Sequence, residues 1–249
     1  MRLRPPPSPQ TAPAMSEAGD APIWAVIPAA GRGSRFGGEV PKQYLDLAGQ
    51  TLLTHALDAL LAHPAVSGAV VALATDDARW PGWISRHGKP VIACVGGGER
   101  ADSVLAALQA LPVDLPADTL VLVHDAARPN LRASDITHLI DAARTSVDGA
   151  LLAAPVRDTL KRADSEGCVQ ATEPRERLWR ALTPQAFRRD ALLRALQQAR
   201  EAGVVVTDEA MAMELAGAHP RLVEGREDNL KITTRSDLAL AEYLLSHSR

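Results

Sequence analysis

A loop rich in glycine and basic residues follows the first apolar run of the chain. In PAAGRGSRFGGEVPK, residues 28–42, there are four glycines, two arginines and one lysine. Glycine permits positive φ and lets backbone N–H groups approach a ligand closely, which is how strand-to-helix loops hold phosphate. Arg35 and Lys42 add cationic side chains, and Pro41 favours an extended Val40, so that Lys42 leaves the loop at a defined point. The pattern predicts a polyphosphate site, with a solvated surface loop as the alternative.

The glycine spacing separates this loop from two common phosphate-binding motifs. The segment G-R-G-S-R-F-G has no glycine at Arg35 or Phe36, so it does not match the G-x-G-x-x-G motif of dinucleotide-binding folds. It also lacks the G-K-[ST] ending of a Walker loop. A nicotinamide-dependent dehydrogenase is therefore disfavoured.

The composition argues against several other classes of protein. A net charge of -3 and a pI near 6.2 provide no general basic surface, so we expect neither nucleic-acid nor membrane binding. The two cysteines, Cys94 and Cys168, indicate neither a disulfide framework nor a zinc site and are compatible with a reducing cytoplasm. No apolar run approaches the roughly 18 residues that a spanning helix needs. These features favour a cytoplasmic protein.

The N-terminal residues 1–21 are typical of a disordered tail. Five prolines stand among the first thirteen residues, and the segment lacks the apolar region of a signal peptide. We expect residues 22–249 to form a single domain.

From Ile23 onward, short apolar runs alternate with amphipathic stretches of ten or more residues. Strands are predicted at 23–28, 68–74, 90–95, 119–125, 149–156 and 229–233. Helices are predicted at 51–64, 101–111, 134–144, 191–203, 207–217 and 236–245, with Ser134 as the N-terminal cap of the third.

The predicted strands are apolar throughout, so helices must cover both faces of their sheet. This alternation predicts an α/β fold with a doubly wound, mostly parallel, Rossmann-like sheet. In such sheets, ligands bind beyond the carboxyl ends of the strands. The loop at 28–42 and the segment 124–129 both lie there.

Residues 157–180 interrupt the alternation. The segment is polar, has a turn signal around 164–167, and predicts a projecting β-hairpin arm. Because such an excursion lies outside the main sheet, we interpret it as a dimerisation arm.

Seven sequence blocks stand in the order seen in bacterial 2-C-methyl-D-erythritol 4-phosphate cytidylyltransferases, which the chain resembles over residues 23–245. The blocks are PAAGRGSRFGGEVPKQYL (28–45), GGGERADSV (96–104), VHDAARP (123–129), APVRDTLKR (154–162), LTPQAF (182–187), TDEA (207–210) and VEGREDNLKIT (223–233). The resemblance implies a nucleotidyltransferase domain that transfers CMP from CTP to methylerythritol phosphate and releases pyrophosphate.

Matched position by position, the resemblance implies that the glycine-rich loop and the second block hold CTP. The residues carried over for CTP binding are Ala29, Ala30, Gly31, Gly33, Gly97, Gly98 and Ser103. Arg35, Lys42 and Lys231 are carried over as catalytic residues. Lys42 would stabilise charge on the α-phosphate and the departing pyrophosphate, and Lys231 would lie near the attacking phosphate.

The chain departs from the family at Gly98, where members often carry Asp. Recognition through the backbone survives this change, whereas any contribution from the Asp side chain is lost.

The resemblance also implies an acceptor site and a metal ligand. The residues carried over for methylerythritol phosphate are Asp125, Arg128, Thr159, Arg175, Thr183 and Thr207. Asp125 is also the implied Mg²⁺ ligand. A single carboxylate can suffice, because Mg²⁺ leaves most of its coordination to phosphates and water. Asp228 is a second metal candidate, and a turn or capping role is the alternative for both carboxylates. His124 is interpreted as a packed residue at a strand end and not as a base.

Thr159 and Arg175 lie on the predicted arm. Family members lend this arm to the neighbouring subunit, so the resemblance implies a homodimer with exchanged arms in which each active site is completed by the partner. A solvated or interface role is the alternative for the arginines of the arm.

The implied reaction needs no nucleophile-base pair, and none is evident in the sequence. The phosphate of the acceptor is already ionised at neutral pH, so alignment and charge neutralisation suffice for a Mg-assisted in-line attack without a covalent intermediate. Two other functions stay open. A cytidylyltransferase that uses ribitol 5-phosphate would share the loop and its lysine, and a non-catalytic nucleotide-binding regulator would bind CTP without turnover.

Overall fold

The computed structural model describes residues 21–31 and 40–247. Apart from Ala21, the predicted tail at 1–21 lies outside the described residues. Two predicted site residues of the glycine-rich loop, Gly33 and Arg35, also lie outside them.

The described residues form strands and helices in the alternating order that the sequence predicts. The strands are β1 Ile23–Pro28, β2 Asp46–Leu47, β3 Gln50–Thr51, β4 Val66–Leu73, β5 Ser85–Arg86, β6 Lys89–Val95, β7 Leu120–Val123, β8 Ala150–Pro155, β9 Leu160–Ala163, β10 Val169–Glu173, β11 Trp179–Arg188 and β12 Arg221–Glu224. The helices are α1 Leu52–Leu61, α2 Arg100–Gln109, α3 Ala133–Arg144, α4 Arg189–Glu201, α5 Glu209–Leu215 and α6 Arg235–Ser246. Within these ranges, none of the helices has the length and hydropathy that crossing a bilayer requires.

Eight strands form the main sheet, in the order β12-β8-β11-β7-β1-β4-β6-β5. The central strand β1 is parallel to both of its neighbours, so that Val26 pairs with Val70 of β4 and Val123 of β7. β4 is parallel to β6, and β8 is parallel to β12. The exceptions are β11, which is antiparallel to β7 and β8, and the short edge strand β5. The predicted mostly parallel sheet is confirmed.

Helices cover both faces of this sheet, as a doubly wound fold requires. Successive side chains of β1 point to opposite faces, so Ile27 packs in one apolar cluster with Leu57 of α1, and Val26 packs in the other with Val104 of α2. These side chains are fully buried. In sheets of this kind, ligands bind beyond the carboxyl ends of the parallel strands.

Two predictions about local structure were wrong. Residues 229–233 do not form a strand; β12 is the edge strand instead, and the backbone N–H of Ile232 donates to the carbonyl of Ala127 at 2.9 Å. The polar side chain of Asn229 is buried and donates to the carbonyl of Thr183 at 2.7 Å, which holds this segment across the end of the sheet. Ser134 is not a cap, because helix α3 begins one residue earlier and its N-cap is Arg132.

Strand β11 was not predicted, although it pairs with two strands of the main sheet. Its centre carries Thr183, Pro184 and Gln185, whose polarity and missing N–H are atypical of an inner strand. The pairing with β8 is correspondingly irregular between Ala181 and Gln185. The buried side chains of Thr183 and Gln185 take part in the site described below.

The predicted hairpin within 157–180 is present. Strands β9 and β10 pair only with each other, antiparallel, and Gly167 in the turn adopts a φ of 83°. Side chains on this arm are exposed, including Val169 at 66%.

Candidate active site

A cavity of about 700 Å³, including its opening to solvent, lies beyond the carboxyl ends of β1, β6 and β7. Its walls come from five places in the chain: the exit of β1, the turn at 42–43, the segment 97–103, the segment 125–127, and Lys231. The predicted site residues that line it are Ala29, Ala30, Gly31, Lys42, Gly97, Gly98, Ser103, Asp125 and Lys231. The fold thus brings residues 29–31 and Lys231, which are far apart in the sequence, to the walls of one cavity.

The exit of β1 is held by two hydrogen bonds through Ala29. Its N–H donates to the carbonyl of Ala72 at 2.7 Å, and its carbonyl accepts from the amide side chain of Gln43 at 2.6 Å. Gln43 follows Pro41 and Lys42 in a short 3-10 turn and is buried. Sequence analysis missed Gln43, although the position next to Lys42 could have indicated it. Its bond fixes the wall from which Lys42 reaches the cavity.

Two glycines in the second block are required by close packing. A side chain at Gly96 would place its Cβ 2.7 Å from the Cβ of Ala30, and one at Gly97 would place it 2.2 Å from the Cβ of Asp102. The N–H of Gly97 donates to the hydroxyl of Ser103 at 3.1 Å. Gly98, where the family often carries Asp, has open space around its missing Cβ. This wall therefore presents backbone groups to the cavity.

A second cavity of about 420 Å³ adjoins the first. It shares Arg100, Asp125 and Lys231 with the first cavity and extends to β11 and to the start of α5. The predicted acceptor residues that line it are Asp125, Arg128, Thr183 and Thr207. Two binding spaces therefore meet at one charged wall.

Asp125 is the centre of this shared wall. Its Oδ1 lies 2.9 Å from Nε of Arg100, and its Oδ2 lies 2.9 Å from Nζ of Lys231 and 3.5 Å from Nε of Arg128. Burial alone would raise the pKa of Asp125, but the charges of Arg100, Lys231 and Arg128 hold it well below its usual range. The carboxylate is therefore ionised at neutral pH.

Arg100 and Glu209 extend the charged wall inward, and sequence analysis assigned a role to neither. The guanidinium donates from Nη1 to Oε1 of Glu209 at 2.5 Å and from Nη2 to Oε2 at 3.1 Å. Burial lowers the pKa of Arg100, but Glu209 and Asp125 outweigh it and raise the pKa above its ordinary value. Both residues lie within motif blocks, yet a contact across 109 positions leaves no local pattern in a sequence.

His124 is fully buried behind the wall and neutral. Its Nε2 donates to the carbonyl of Arg128 at 3.0 Å, and its Nδ1 accepts from the hydroxyl of Thr183 at 3.0 Å. The same hydroxyl accepts from the N–H of Asp125 at 3.1 Å. Burial lowers the pKa of His124 to about 4. This chain of hydrogen bonds fixes both ends of the turn that carries Asp125 and Arg128.

Among the predicted site residues that the structure describes, three line neither cavity. Thr159 and Arg175 lie exposed on the arm segment, where the guanidinium of Arg175 donates to the carbonyl of Arg157. The carboxylate of Asp228 is paired with Arg226, with 2.6 Å between Oδ2 and Nη2.

The carboxylates near the cavities decide how a Mg²⁺ ion could be held. Within 21–31 and 40–247, no three His, Cys, Asp or Glu side chains gather into a metal-binding group. Asp125 is an ionised hard oxygen ligand at the cavity wall, but each of its oxygens already faces a cation. The residues fit an ion held mainly by substrate phosphates with one carboxylate beside it, and they do not fit an all-protein site.

Comparison with known proteins gives a consistent result. A model of the 2-C-methyl-D-erythritol 4-phosphate cytidylyltransferase family matches residues 23–247. The protein of that name from Stenotrophomonas maltophilia (strain K279a) is 64% identical over 226 residues, which are 91% of this chain and 97% of that protein. The one from Xanthomonas campestris pv. campestris (strain 8004) is 62% identical over 225 residues, which are 90% and 85% of the two chains.

Solved structures agree with the sequence comparison. The crystal structure of the Francisella tularensis 2-C-methyl-D-erythritol 4-phosphate cytidylyltransferase has a TM-score of 0.77 at 32% identity and covers 90% of this chain and 99% of its own.

Proposed function

The chain belongs to the 2-C-methyl-D-erythritol 4-phosphate cytidylyltransferase family, and we propose that its two adjoining cavities hold the two substrates of that reaction. The enzyme transfers CMP from CTP to 2-C-methyl-D-erythritol 4-phosphate, giving 4-diphosphocytidyl-2-C-methyl-D-erythritol and pyrophosphate. One observation carries the proposal: a glycine-lined cavity and an arginine-lined cavity meet at a wall formed by Arg100, Asp125 and Lys231. A nucleotide and a second anion can therefore meet there.

The larger cavity is assigned to CTP. The backbone at Gly97 and Gly98, oriented by Ser103, offers donors and acceptors for the cytosine ring. The β1 exit at 29–31 offers N–H groups to the triphosphate, and Lys42 supplies a compact positive charge. Gly33 and Arg35 complete this set in the proposal and lie outside the described residues.

The smaller cavity is assigned to the acceptor. Arg128 supplies a guanidinium for the phosphate, and the hydroxyls of Thr183 and Thr207 supply hydrogen bonds. Asp125 can accept hydrogen bonds from the hydroxyl groups of the polyol. Lys231 stands between the cavities, where its charge can lower the repulsion between the two phosphates.

The chemistry follows from this placement. An oxygen of the acceptor phosphate attacks the α-phosphorus of CTP in line with the departing pyrophosphate. The P–O bond to pyrophosphate breaks, and its electron pair leaves with the pyrophosphate. No proton has to be removed from the attacking group, so His124 can stay buried and neutral. Lys42 and Lys231 neutralise the charge that gathers around the α-phosphate.

Asp125 is proposed as the protein ligand of Mg²⁺, which when bound neutralises charge on the triphosphate. This proposal rests on the ionised carboxylate at the cavity wall. Asp228 is disfavoured because Arg226 holds both of its oxygens.

The partner's arm is proposed to complete the acceptor cavity. Thr159 and Arg175 are exposed on a projecting hairpin, and a second copy of the chain could bring them to the cavity. A homodimer with exchanged arms and a cytoplasmic location are part of this proposal. Cys94 and Cys168 are both free thiols, which is compatible with that compartment.

The decisive experiment measures pyrophosphate release by the purified protein with CTP and methylerythritol phosphate. We expect turnover with Mg²⁺, loss of turnover on chelation and recovery when the metal is restored. Ribitol 5-phosphate in place of the acceptor should give far less product. Turnover with ribitol 5-phosphate alone, or CTP binding without turnover, would contradict the proposed function.

A further inference from the structure

Glu209 is a buried charged residue to which the proposed mechanism gives no task. Its side chain is 1% exposed, and it lines neither of the two cavities. Burial raises the pKa of its carboxyl, and the charge of Arg100 opposes that rise. A carboxylate in such a place costs free energy unless it is paired, so its partner indicates its purpose.

The backbone around Glu209 is fixed on both sides by Gln185 of β11. The amide of Gln185 donates to Oδ2 of Asp208 at 2.9 Å, and its carbonyl oxygen accepts from the N–H of Ala210 at 2.8 Å. Asp208 also caps helix α5 by accepting from the N–H of Met211 at 3.0 Å. The backbone position of Glu209 is therefore fixed by β11, the strand that also carries Thr183.

Glu209 occupies one edge of the Arg100 guanidinium. Both Nη atoms donate to the two oxygens of Glu209, and only Nε is directed to Asp125, at 2.9 Å. Arg100 lines both cavities, so a freed guanidinium would stand beside two incoming phosphates. The fork of Nη donors is the geometry with which arginine binds phosphate in a bidentate manner.

We propose that Glu209 is a positioning residue for the transfer reaction: it occupies the guanidinium fork of Arg100, so that Arg100 holds Asp125 through Nε and does not capture a substrate phosphate. The proposal rests on the proposed function of the two cavities. Without the charge of Glu209, the shared wall would have three cations around one carboxylate, Asp125. Phosphates would then bind more tightly and in a less productive position.

Glu209→Gln removes the charge and keeps the shape, and Glu214→Gln is the matched control on the exposed side of the same helix. For Glu209→Gln we expect kcat to fall about tenfold, while KM for methylerythritol phosphate and the inhibition constant of pyrophosphate each fall about threefold or more. Glu214→Gln should behave as the unaltered enzyme. A lower kcat with unchanged or raised KM would indicate a purely structural role and would overturn the proposal.

A double variant keeps the proposal testable if the single variant does not fold. Arg100→Met combined with Glu209→Gln removes both charges of the buried pair. Its KM for methylerythritol phosphate should not fall below that of the unaltered enzyme, because no guanidinium is left at position 100 to capture a phosphate. A KM about threefold lower in the double variant would overturn the inference. Glu209→Asp, which keeps the charge, should restore KM toward that of the unaltered enzyme.

The controls separate the two proposals. If the unaltered enzyme and Glu214→Gln do not turn over CTP with methylerythritol phosphate, the proposed function fails. If both are active and Glu209→Gln matches them, only the role of Glu209 fails.

Discussion

The cavity beside β1 is shaped mainly by backbone, whereas the cavity beside β11 is shaped by charged and polar side chains. In the first, Gly96 and Gly97 allow two segments to approach within contact distance. In the second, Asp125 and its cationic partners come from distant parts of the chain. Substitutions that add atoms should therefore disturb the cavity beside β1. Substitutions that remove charges or hydrogen bonds should disturb the cavity beside β11.

The substrates proposed for the two cavities would explain this difference. Cytosine is a planar, uncharged base whose edge can be recognised by fixed backbone groups. The acceptor is a flexible polyol with a doubly charged phosphate, so its recognition needs cations and hydroxyls, and these cations must be balanced by carboxylates when substrate is absent. Lys42 is an exception in the first cavity, because it adds a charged side chain outside the wall that the two cavities share.

The largest effect is expected for that exception. Lys42→Ala should lower kcat by about 100-fold or more, since it removes the charge that is proposed to lie beside the α-phosphate. The cavity is otherwise intact, so the midpoint of thermal unfolding should change little. Steady-state kinetics and a thermal melt provide the test, with Arg194→Ala, exposed on α4, as control. Unchanged turnover in Lys42→Ala would show that the backbone wall alone suffices.

The next effect tests the backbone wall itself. Gly97→Ala should raise KM for CTP about tenfold or more, because its Cβ would lie 2.2 Å from the Cβ of Asp102 and force the loop to shift. Gly98→Ala is a matched control, since nothing lies within 4 Å of its added carbon. We expect Gly98→Ala to change KM for CTP by less than about twofold. Equal kinetics in the two variants would contradict the close-packing argument.

A smaller effect should follow from a change in the second cavity. Thr183→Val removes the hydroxyl that joins the N–H of Asp125 to His124. The buried N–H loses its acceptor, so the free energy of unfolding should fall by about 1–3 kcal/mol. KM for the acceptor should rise several-fold, and KM for CTP should stay the same.

Denaturant unfolding and kinetics of both substrates measure these changes. Thr145→Val serves as control, because its hydroxyl bonds only within the exposed end of α3. An equal rise in the KM values for CTP and for the acceptor would mean that Thr183 supports both cavities and not the second cavity alone.

The first cavity could largely be predicted from the sequence, and the charged network could not. Glycine-rich segments at the ends of parallel strands have local signatures, and Lys42 and Gly97 do line one cavity. The Arg100–Glu209 pair joins the start of α2 to the start of α5 across 109 positions, so it depends on how the fold places these two helices. A buried charge leaves no periodicity, so only the folded structure reveals its partner.

The errors in the predicted strands have a related cause. The segment 229–233 has apolar residues at alternate positions, as a strand would, yet it serves to carry Lys231 to Asp125. β11 has polar residues where an inner strand is normally apolar, because Thr183 and Gln185 serve the site. At both places, the needs of the site outweigh the local pattern.

Substitution of His124 should have the smallest effect on turnover at neutral pH. This residue supports the second cavity through its hydrogen bonds to Arg128 and Thr183. Burial lowers its pKa to about 4, while an unfolded histidine titrates near 6.5. Because the unfolded chain takes up the proton first, the contribution to stability is complete above about pH 6.5 and is lost as the pH falls toward 4. Between pH 7 and 5, the loss should be about 2 kcal/mol in the free energy of unfolding.

His124→Gln isolates this contribution. The variant should keep most of its turnover at pH 7, since the histidine touches no substrate in the proposed mechanism, and its stability should depend less on pH between 7 and 5. Burial also lowers the pKa of His63, so His63→Gln is measured separately and its share subtracted. His138→Gln, exposed on α3, is the control. If the pH dependence of His124→Gln equals that of the unaltered protein, His124 is not held neutral by the fold. Hydrogen bonds other than those of His124 would then have to hold the turn that carries Asp125 and Arg128.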